Sequence, residues 1–275
     1  MSPKIYILVP VHNRIETTRK FVALLKNQTI RNLRLVLIDD GSTDGTSEMV
    51  TTLLPESTIL KGDGNLWWGG SLQKGYEWLI EENLPDPTPI LIINDDTTFG
   101  PDFLANALKV LTSSPKKLLL ARARNEKGEL IENGVMIHWG RLRFEALKDD
   151  REMNCASTRG LFLRLGDLRR IGGFHPILLP HYLSDYEFSI RAIRKGFSIG
   201  TDPSVELTMD ETLSGIRSTG KGSIWSRIHR LFSKRSALNP FYTSVFLVYS
   251  CPWYYLPWNI GRVWLRSFVA LALGK

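Results

Sequence analysis

The stretch LRLVLIDDGSTDGT, residues 33–46, determines the expected fold class of this chain. Its first half is a short and largely apolar run, which predicts a buried strand. Asp39 and Asp40 end that run, and the small and turn-forming residues after them can cap a helix. The stretch therefore predicts a strand, a turn and a helix, with two carboxylates at the carboxyl end of the strand.

The same alternation of strand and helix extends on both sides of this stretch. We expect strands at 4–11, 33–40, 89–95 and 118–121, and helices at about 16–27, 70–82, 101–112 and 184–195. Hairpin strands are expected between 122 and 166. Such alternation favours an α/β fold with a mixed, mainly parallel sheet flanked by helices. Ligands of these folds bind at the carboxyl ends of the strands.

The composition excludes several classes of protein. The chain has 275 residues, of which 43% are hydrophobic and 23% are charged. These values are typical of a soluble globular protein and exclude a disordered chain, a collagen-like fibre and a polytopic membrane protein. With two cysteines no disulfide framework is expected, and the apolar run near the start is too short for a signal peptide. We therefore expect a cytoplasmic protein.

Polar side chains follow three of the predicted strands where those strands end. They are His12 and Asn13 after the first strand, Asp39 and Asp40 after the second, and Asn94, Asp95 and Asp96 after the strand at 89–95. In a parallel sheet these groups lie along one edge, where clustered carboxylates are costly unless a positive group binds them. Mg²⁺ or Mn²⁺ with a diphosphate suits such a site. In the alternative, each aspartate caps a turn.

Several segments resemble family 2 glycosyltransferases of the GT-A fold. They are ILVPVHNR (7–14), VLIDDGSTDGT (36–46), GNLWWGGSLQKGY (64–76), IINDD (92–96), TRGLFLRLGDLRRIGGF (158–174) and LPHYLSDYEFSIRAIRKGF (179–197). The resemblance covers about residues 4–215, with a nucleotide-binding part to about 121 and an acceptor-side part at 122–215. The Q-x-x-R-W signature of processive synthases is absent. The non-processive branch of bacterial cell-surface polysaccharide enzymes, including rhamnosyltransferases, is therefore the nearest match.

The resemblance implies roles for residues that match the family's motifs. The implied contacts to the nucleotide are Pro10, His12, Asn13, Glu16, Asp39, Asp40, Asn65 and Asp95. Asp96 is the implied ligand of Mn²⁺ or Mg²⁺, although Asn94 replaces the first aspartate of the family's motif. The histidine that often supplies a second ligand is missing from 205–215, and Asp210 or Glu211 can substitute for it. Either can equally be a solvated loop residue.

On the acceptor side, the resemblance implies that Asp185 is the general base of an inverting transfer. Here Ser184-Asp185 replaces the family's Glu-Asp pair. An inverting transfer needs one carboxylate to take the acceptor's proton. Asp185 can instead cap the helix that follows it, and Glu187 is the alternative base. The expected acceptor contacts are Trp67, Trp68, Arg159 and His181, each of which can also be structural.

Residues 216–275 form a basic and aromatic extension. They contain nine Lys or Arg and no Asp or Glu, while the formal charge of the whole chain is +7. Residues 236–261 carry no charge, but prolines and asparagines interrupt them, which favours a helical segment lying at a membrane surface over one that crosses it. We expect peripheral contact with the inner face of the cell membrane. The alternative is packing on the catalytic domain or in an oligomer, and nucleic-acid binding is not expected.

The sequence therefore predicts a metal-assisted hexosyltransferase. It would move a sugar from a UDP- or dTDP-sugar to a hydroxyl of a glycan acceptor, expected to be lipid-linked. Two other functions compete with this prediction. A sugar nucleotidyltransferase usually has a glycine-rich basic loop after its first strand, and VHNRIETTRK (11–20) lacks one. A non-catalytic carbohydrate-binding protein would not need Asp96 and Asp185.

Overall fold

A computed structural model describes residues 3–113, 117–209, 224–234 and 236–273. Its strands are β1 Ile5–Val11, β2 Leu33–Asp39, β3 Thr58–Lys61, β4 Pro89–Ile92, β5 Thr97–Thr98, β6 Lys117–Leu120, β7 Arg122–Arg124, β8 Leu130–Glu132, β9 Val135–His138, β10 Arg143–Ala146, β11 Leu161–Arg164, β12 Ser198–Gly200 and β13 Glu206–Met209. Its helices are α1 Ile15–Lys26, α2 Thr46–Leu53, α3 Trp67–Glu81, α4 Phe103–Ser113, α5 Leu165–Ile171, α6 Ser184–Arg194, α7 Ile224–Leu231, α8 Pro240–Ser250 and α9 Leu256–Leu273.

Seven strands form the central sheet, in the order β12-β6-β11-β4-β1-β2-β3. β11 runs antiparallel to its neighbours β4 and β6, and the other pairs in this sheet are parallel. The prediction of a mixed, mainly parallel sheet flanked by helices is confirmed. Five short elements, β3, β5, β12, β13 and α5, were not predicted, since none of them carries a long periodic pattern.

β1 and β2 are buried on both faces along most of their length, which explains their largely apolar sequences. Alternate side chains of a strand point to opposite faces of the sheet. Ile5 and Ile7 of β1 therefore join a core cluster with residues of α1, α2 and α4. Tyr6 and Leu8 join a second cluster with residues of α3 and α6. β1 therefore lies between two hydrophobic layers.

Two smaller sheets accompany the central sheet. The first has the order β5-β13-β7-β8, and the second is the antiparallel hairpin of β9 and β10. Strands β7 to β10 agree with the hairpin strands expected between 122 and 166, whereas β5 and β13 lie outside that range. The hairpin forms a surface against which the extension packs.

The extension shares a third hydrophobic cluster with the hairpin and α6. Its members Phe246, Leu247 and Cys251 pack with residues such as Ile137 and Ile190. Polar contacts support this packing. Asn259 Nδ2 donates to the Trp139 carbonyl at 2.9 Å, and Arg262 Nη1 donates to the Gly140 carbonyl at 2.8 Å. One face of the extension therefore packs on the protein, as in the alternative considered above.

The extension consists of α7, α8, a 3₁₀ turn at Trp253–Tyr255, and α9. None of the helices in the described ranges combines the length and hydropathy of a membrane-spanning segment. The predicted domain boundary between 215 and 216 lies within 210–223, outside the described residues. Asp210 and Glu211, the candidate second metal ligands, also lie there.

Candidate active site

Three chain segments leave the central sheet side by side at its carboxyl edge. β1 lies between β2 and β4, and Val11 pairs with Asp39 at the ends of β1 and β2. The Asp40 backbone N–H donates to the Val11 carbonyl at 2.9 Å, which keeps the two chains together beyond the ladder. The polar residues that follow the strands therefore meet at one place.

A cavity of about 320 Å³ opens at this edge. Its size is within the range of about 300–1,000 Å³ that is typical of small-molecule sites. The ends of three strands, the start of α3 and the loop before α6 form its wall. The lining residues are Pro10, Val11, His12, Arg14, Asp40, Gly64, Trp67, Trp68, Ser71, Asn94, Asp95 and His181.

Four predicted nucleotide contacts lie outside this lining, namely Asp39, which is described below, and Asn13, Glu16 and Asn65. Asn13, Glu16 and Asn65 are all exposed. Asn13 instead joins two loops, because its Oδ1 accepts from the Thr43 backbone N–H at 2.8 Å. Glu16 has a side chain 76% exposed and lies 3.8 Å from Arg19.

Asp40 organises the loop that carries the tryptophans. Its Oδ1 accepts from the backbone N–H groups of Gly64 (2.8 Å) and Leu66 (3.1 Å), and its Oδ2 accepts from that of Trp67 (3.0 Å). Hydrogen bonds between an ionised acceptor and backbone donors are stronger than neutral ones. Asp40 thus lines the cavity and also holds one of its walls, a second role that the sequence did not predict.

Asp39 does not reach the cavity. Its side chain is fully buried and accepts hydrogen bonds from the Ser42 backbone N–H (2.8 Å), the Ser47 hydroxyl and Lys61 Nζ (3.3 Å). Burial by itself would raise the pKa of Asp39, but these hydrogen bonds outweigh it and lower the pKa. Asp39 therefore stabilises the turn after β2, and the structure does not bring it to the predicted nucleotide site.

Trp67 and Trp68 both line the cavity but are held differently. Trp67 has a φ of 58°, a strained value for a residue with a side chain. Its ring lies 5.5 Å from that of His181. Trp68 packs against the second core cluster, so it is the tryptophan that lies under the loop. The Gly69 backbone N–H donates to the Pro180 carbonyl at 2.8 Å, which joins this loop to the segment before α6.

Arg14 bridges the two carboxylates that follow β4. Its Nε lies 3.2 Å from Asp95 Oδ1, and its Nη2 lies 3.0 Å from Asp96 Oδ2. Thr18 donates to the other oxygen of Asp95 at 2.8 Å. Burial raises the pKa of Asp95 to about 6, although Arg14 and Thr18 oppose the shift. Arg14 was not assigned a role from the sequence, although it directly follows the motif residues His12 and Asn13.

The oxygen donors beside Arg14 suit a divalent cation that keeps phosphate and water ligands. Among the described residues, no group of three or more His, Cys, Asp or Glu side chains could enclose a metal by itself. However, Asn94 Oδ1 is buried and makes no hydrogen bond, and Asn94 lines the cavity next to Asp95. Asp96 keeps an 18% exposed side chain. Asp96 is not itself a lining residue, but its ion pair to Arg14, which is one, places it beside the cavity wall. An amide oxygen and one carboxylate are therefore the donors here that a cation with phosphate and water ligands could use.

Asp185 lies in the first turn of α6, after Leu183 with a φ of 68°. The helix has no side-chain cap, and the Asp185 carboxylate accepts from the adjacent Tyr186 backbone N–H at 2.9 Å. The structure therefore does not support the capping alternative. Burial raises the pKa of Asp185 to about 6, while Arg159 opposes the shift and Glu132 adds to it. Asp185 lies outside the cavity lining, four residues after His181, which is within it.

Arg159 belongs to a charged group beside Asp185. Its Nη2 lies 3.8 Å from Glu132 Oε2, and the Ser157 hydroxyl donates to Glu132 Oε1 at 2.8 Å. Arg159 does not line the cavity, but its charge acts on Asp185. Glu132 lies on β8, where it pairs with Ala123 of β7, and it was missed because no sequence motif marks it.

Glu187, the alternative base, is buried and paired. Its two carboxylate oxygens accept from Arg191 Nε (2.8 Å) and Arg191 Nη2 (2.9 Å). Because both oxygens are occupied by Arg191, neither is placed to accept from an acceptor hydroxyl. Asp185 is the better candidate of the two.

A scan against family models matches residues 6–167 to the family described as Glycosyl transferase family 2. Among curated proteins, an "Uncharacterized glycosyltransferase" of Rickettsia bellii (strain RML369-C) is 38% identical over 47 residues. That match spans 17% of this chain and 7% of the relative.

Three solved structures have a similar fold, and one of them is a mannosyltransferase. GalNAc-T7, crystallised with UDP, GalNAc and Mn²⁺, has a TM-score of 0.62 at 11% identity, over 88% of this chain and 50% of that one. A mannosyltransferase, PcManGT from Pyrobaculum calidifontis, in complex with GDP-Man and Mn²⁺, has a TM-score of 0.57 at 17% identity, over 98% and 76%. S. aureus TarS 1-349 gives 0.57 at 17% identity, over 75% and 60%. The chain spans only half of GalNAc-T7, and these identities support the GT-A fold alone.

Proposed function

The chain belongs to glycosyl transferase family 2, and we propose that it is an inverting, non-processive glycosyltransferase. It moves a hexosyl group from a UDP- or dTDP-sugar to a hydroxyl of a glycan acceptor. The main support for this proposal is the cavity of about 320 Å³ at the carboxyl edge of the sheet, which Asp95 helps to line. We assign the chemistry to residues 1–215 and a membrane contact to 216–275.

The nucleotide half of the donor binds along the strand ends. We assign Pro10, His12 and Asp40 to the wall for the base and ribose, and Asp95 to the support of that wall, since its two oxygens are engaged by Arg14 and Thr18. The similar structures contain different nucleotides, UDP in one and GDP-Man in the other. The choice of UDP or dTDP therefore rests on the sequence motifs and needs a direct test.

Asp96 would hold a divalent cation, and Asn94 Oδ1 would be a second oxygen donor from the chain. When bound, Mn²⁺ or Mg²⁺ supplies Lewis-acid stabilisation of the charge that develops on the leaving diphosphate. Mn²⁺ is present in both GalNAc-T7 and the mannosyltransferase complex. Residues of the chain then need to supply only a base on the acceptor side.

Asp185 is that base. As the acceptor oxygen forms its bond to the anomeric carbon, its proton passes to the Asp185 carboxylate, and the bond from that carbon to the diphosphate breaks. Attack opposite the leaving group inverts the anomeric configuration. A pKa of about 6 suits a base that must be ionised at neutral pH and still bind a proton strongly. The opposing charges of Arg159 and Glu132 tune this carboxylate.

The sugars are bound by the aromatic wall of the cavity. Trp67 and His181 lie ring to ring at 5.5 Å and line the cavity together with Trp68. The apolar C–H face of a sugar can pack on such rings. The segment that contains His181 leads directly into α6. An acceptor that contacts His181 is therefore bound four residues away in sequence from Asp185. Arg159 is assigned to the acceptor side as a positioning residue.

Nucleotide-dependent stabilisation tests the donor site. We expect UDP or dTDP to raise the melting temperature of the protein, and to raise it more with Mn²⁺ than without. A ligand at about 100 times its Kd that binds only the folded state adds about 2.7 kcal/mol. Differential scanning fluorimetry with UDP, dTDP, GDP and CDP would measure the shift. Asp96→Asn should remove the Mn²⁺ increment, and no shift with any nucleotide would contradict the proposal.

We propose that the outer face of the extension contacts the cytoplasmic surface of the membrane, where a lipid-linked acceptor would lie. Among the described residues, sixteen large hydrophobic side chains are exposed, and twelve of them belong to the extension. Trp253 is 82% exposed and Trp258 is 65% exposed. Residues 216–275 contain nine basic residues and no acidic ones, so their charge complements anionic lipids. Each basic residue near the surface contributes about 1 kcal/mol to membrane binding.

Liposome flotation tests this contact without disturbing the packed face. The double variant Trp253→Ser, Trp258→Ser should bind anionic vesicles at least about tenfold more weakly, since burying one large apolar side chain contributes about 1.5–3 kcal/mol. Ile177→Ser is the matched control, because Ile177 is 86% exposed but lies outside the extension. Equal flotation of both variants and the unchanged protein would rule out this surface.

A further inference from the structure

Arg14 is a positively charged side chain that lies against both carboxylates after β4. It is the residue immediately before α1, it lines the cavity, and its side chain is 35% exposed. Its guanidinium contacts both Asp95 and Asp96, at 3.2 and 3.0 Å. The positive group that the clustered carboxylates require is therefore already present in the chain.

The two carboxylates differ in how they are held. Both oxygens of Asp95 are engaged, one by Arg14 and one by the Thr18 hydroxyl, and the residue is 3% exposed. Asp96 is less buried, and the ion pair to Arg14 engages its Oδ2. Asp96 is thus the carboxylate that Arg14 can release, whereas Asp95 is held in place by a second partner.

The charges favour such a release when donor binds. With Arg14 against Asp95 and Asp96, the three side chains carry a net charge of −1. Adding a divalent cation alone places two positive groups at one carboxylate, and their repulsion opposes cation binding. A diphosphate brings negative oxygens into the same cavity, and a guanidinium binds such oxygens through two parallel hydrogen bonds.

We propose that Arg14 exchanges partners during donor binding, and this inference rests on the proposed function. Without donor, its guanidinium neutralises Asp96 and weakens divalent-cation binding there. With donor, it turns from Asp96 to an oxygen of the diphosphate and leaves Asp96 for the cation. Arg14 thereby couples the binding of cation and nucleotide, and such coupling must be equal in both directions.

Binding of Mn²⁺ itself tests this exchange, with no need for turnover. Electron paramagnetic resonance of free Mn²⁺ would give its Kd for the full chain, for Arg14→Gln and for Arg14→Lys, each with and without saturating UDP. Without UDP, Arg14→Gln should bind Mn²⁺ about tenfold more tightly than the unchanged protein, within the 5- to 150-fold range typical of coupled sites. The increase in Mn²⁺ affinity caused by UDP should shrink by the same factor. Arg14→Lys, which keeps the charge but not the two-pronged contact, should lie between them.

Lys20→Gln is the matched control, since Lys20 lies on the exposed face of the same helix and its loss changes the net charge equally. It should bind Mn²⁺ like the unchanged protein. Mn²⁺ binding by Arg14→Gln that is equal, weaker or undetectable without UDP would overturn the exchange. If UDP still binds with Mn²⁺ in that case, the proposed transferase stands, whereas absence of UDP binding by the unchanged protein would overturn the donor site itself.

Discussion

Asp185→Asn should lower the rate of sugar transfer by about 10³-fold, while donor binding stays within twofold of the unchanged protein. A positioned general base contributes roughly 10²- to 10⁴-fold, and asparagine keeps the shape of aspartate without its basicity. The measurement is release of nucleoside diphosphate with a glycan acceptor, beside the Kd of the donor. Undiminished transfer by this variant would exclude Asp185 as the base.

Glu187→Gln distinguishes catalytic loss from structural loss. Glu187 lies two residues further on the same helix and makes a buried, two-pronged ion pair with Arg191. Breaking that pair should destabilise the protein by about 1–3 kcal/mol, because Arg191 loses its charged acceptor but keeps the carbonyls of Ile171 and Gly173. The folded fraction should nevertheless keep transfer activity. If Glu187→Gln abolishes transfer in folded protein and Asp185→Asn does not, the assignment of the base is reversed.

The pH dependence of transfer and of stability, measured for the unchanged protein and for Asp185→Asn, gives a second test of the base. Because the pKa of Asp185 is raised to about 6, transfer should fall as the pH drops below about 6. Its effect on stability has the opposite sign: between about pH 4 and 6 the folded state binds the proton more tightly than the unfolded state. Asp185 therefore favours folding as the pH falls through that range. Asp185→Asn should lose this contribution to the pH dependence of stability.

Phe246→Ala should lower the free energy of unfolding by about 3–5 kcal/mol, the usual cost of removing a buried phenylalanine. Phe246 is fully buried in the third cluster, and its ring lies 6.1 Å from those of both Trp139 and Phe144. It is the residue through which α8 packs on the hairpin. Urea unfolding followed by tryptophan fluorescence would measure the loss.

The matched control is Phe241→Ala on the same helix. Phe241 is 51% exposed, so its replacement should change stability by less than about 0.5 kcal/mol. Equal costs for the two substitutions would contradict the packing of the extension. The result also bears on deletions: removal of residues 216–275 would expose the third cluster, so point variants of the outer face test membrane contact more cleanly.

The packing of the extension connects it to the catalytic helix. Arg194, in the last turn of α6, donates to the carbonyl of Tyr249 at 2.5 Å and to that of Ser250. α6 also carries Asp185 in its first turn. A loss of packing at Phe246 should therefore reduce transfer through the position of α6, in addition to its effect on stability.

The fold class and the location of the site followed from the sequence, because both depend on local patterns. Apolar runs such as 5–11 and 33–39 form buried strands, and strand–helix alternation makes most of their pairings parallel. That arrangement alone brings the segments after β1, β2 and β4 to one edge. Short elements without a pattern, such as β3, could not be found in this way.

What the sequence by itself determined was therefore which residues reach the edge of the sheet. Only the tertiary structure decided what each of them contacts there, because carboxylate partners come from loops distant in the chain. Asp39 and Asp40 are adjacent in sequence, yet the first is buried in its own turn and the second holds the tryptophan loop. Arg14 forms an ion pair with Asp96, which is 82 residues away in sequence. Glu132, on β8 of the small sheet with β7, lies close enough to Asp185 to raise its pKa. How deeply each carboxylate is buried, and which groups it contacts, depends on the packing of the whole molecule.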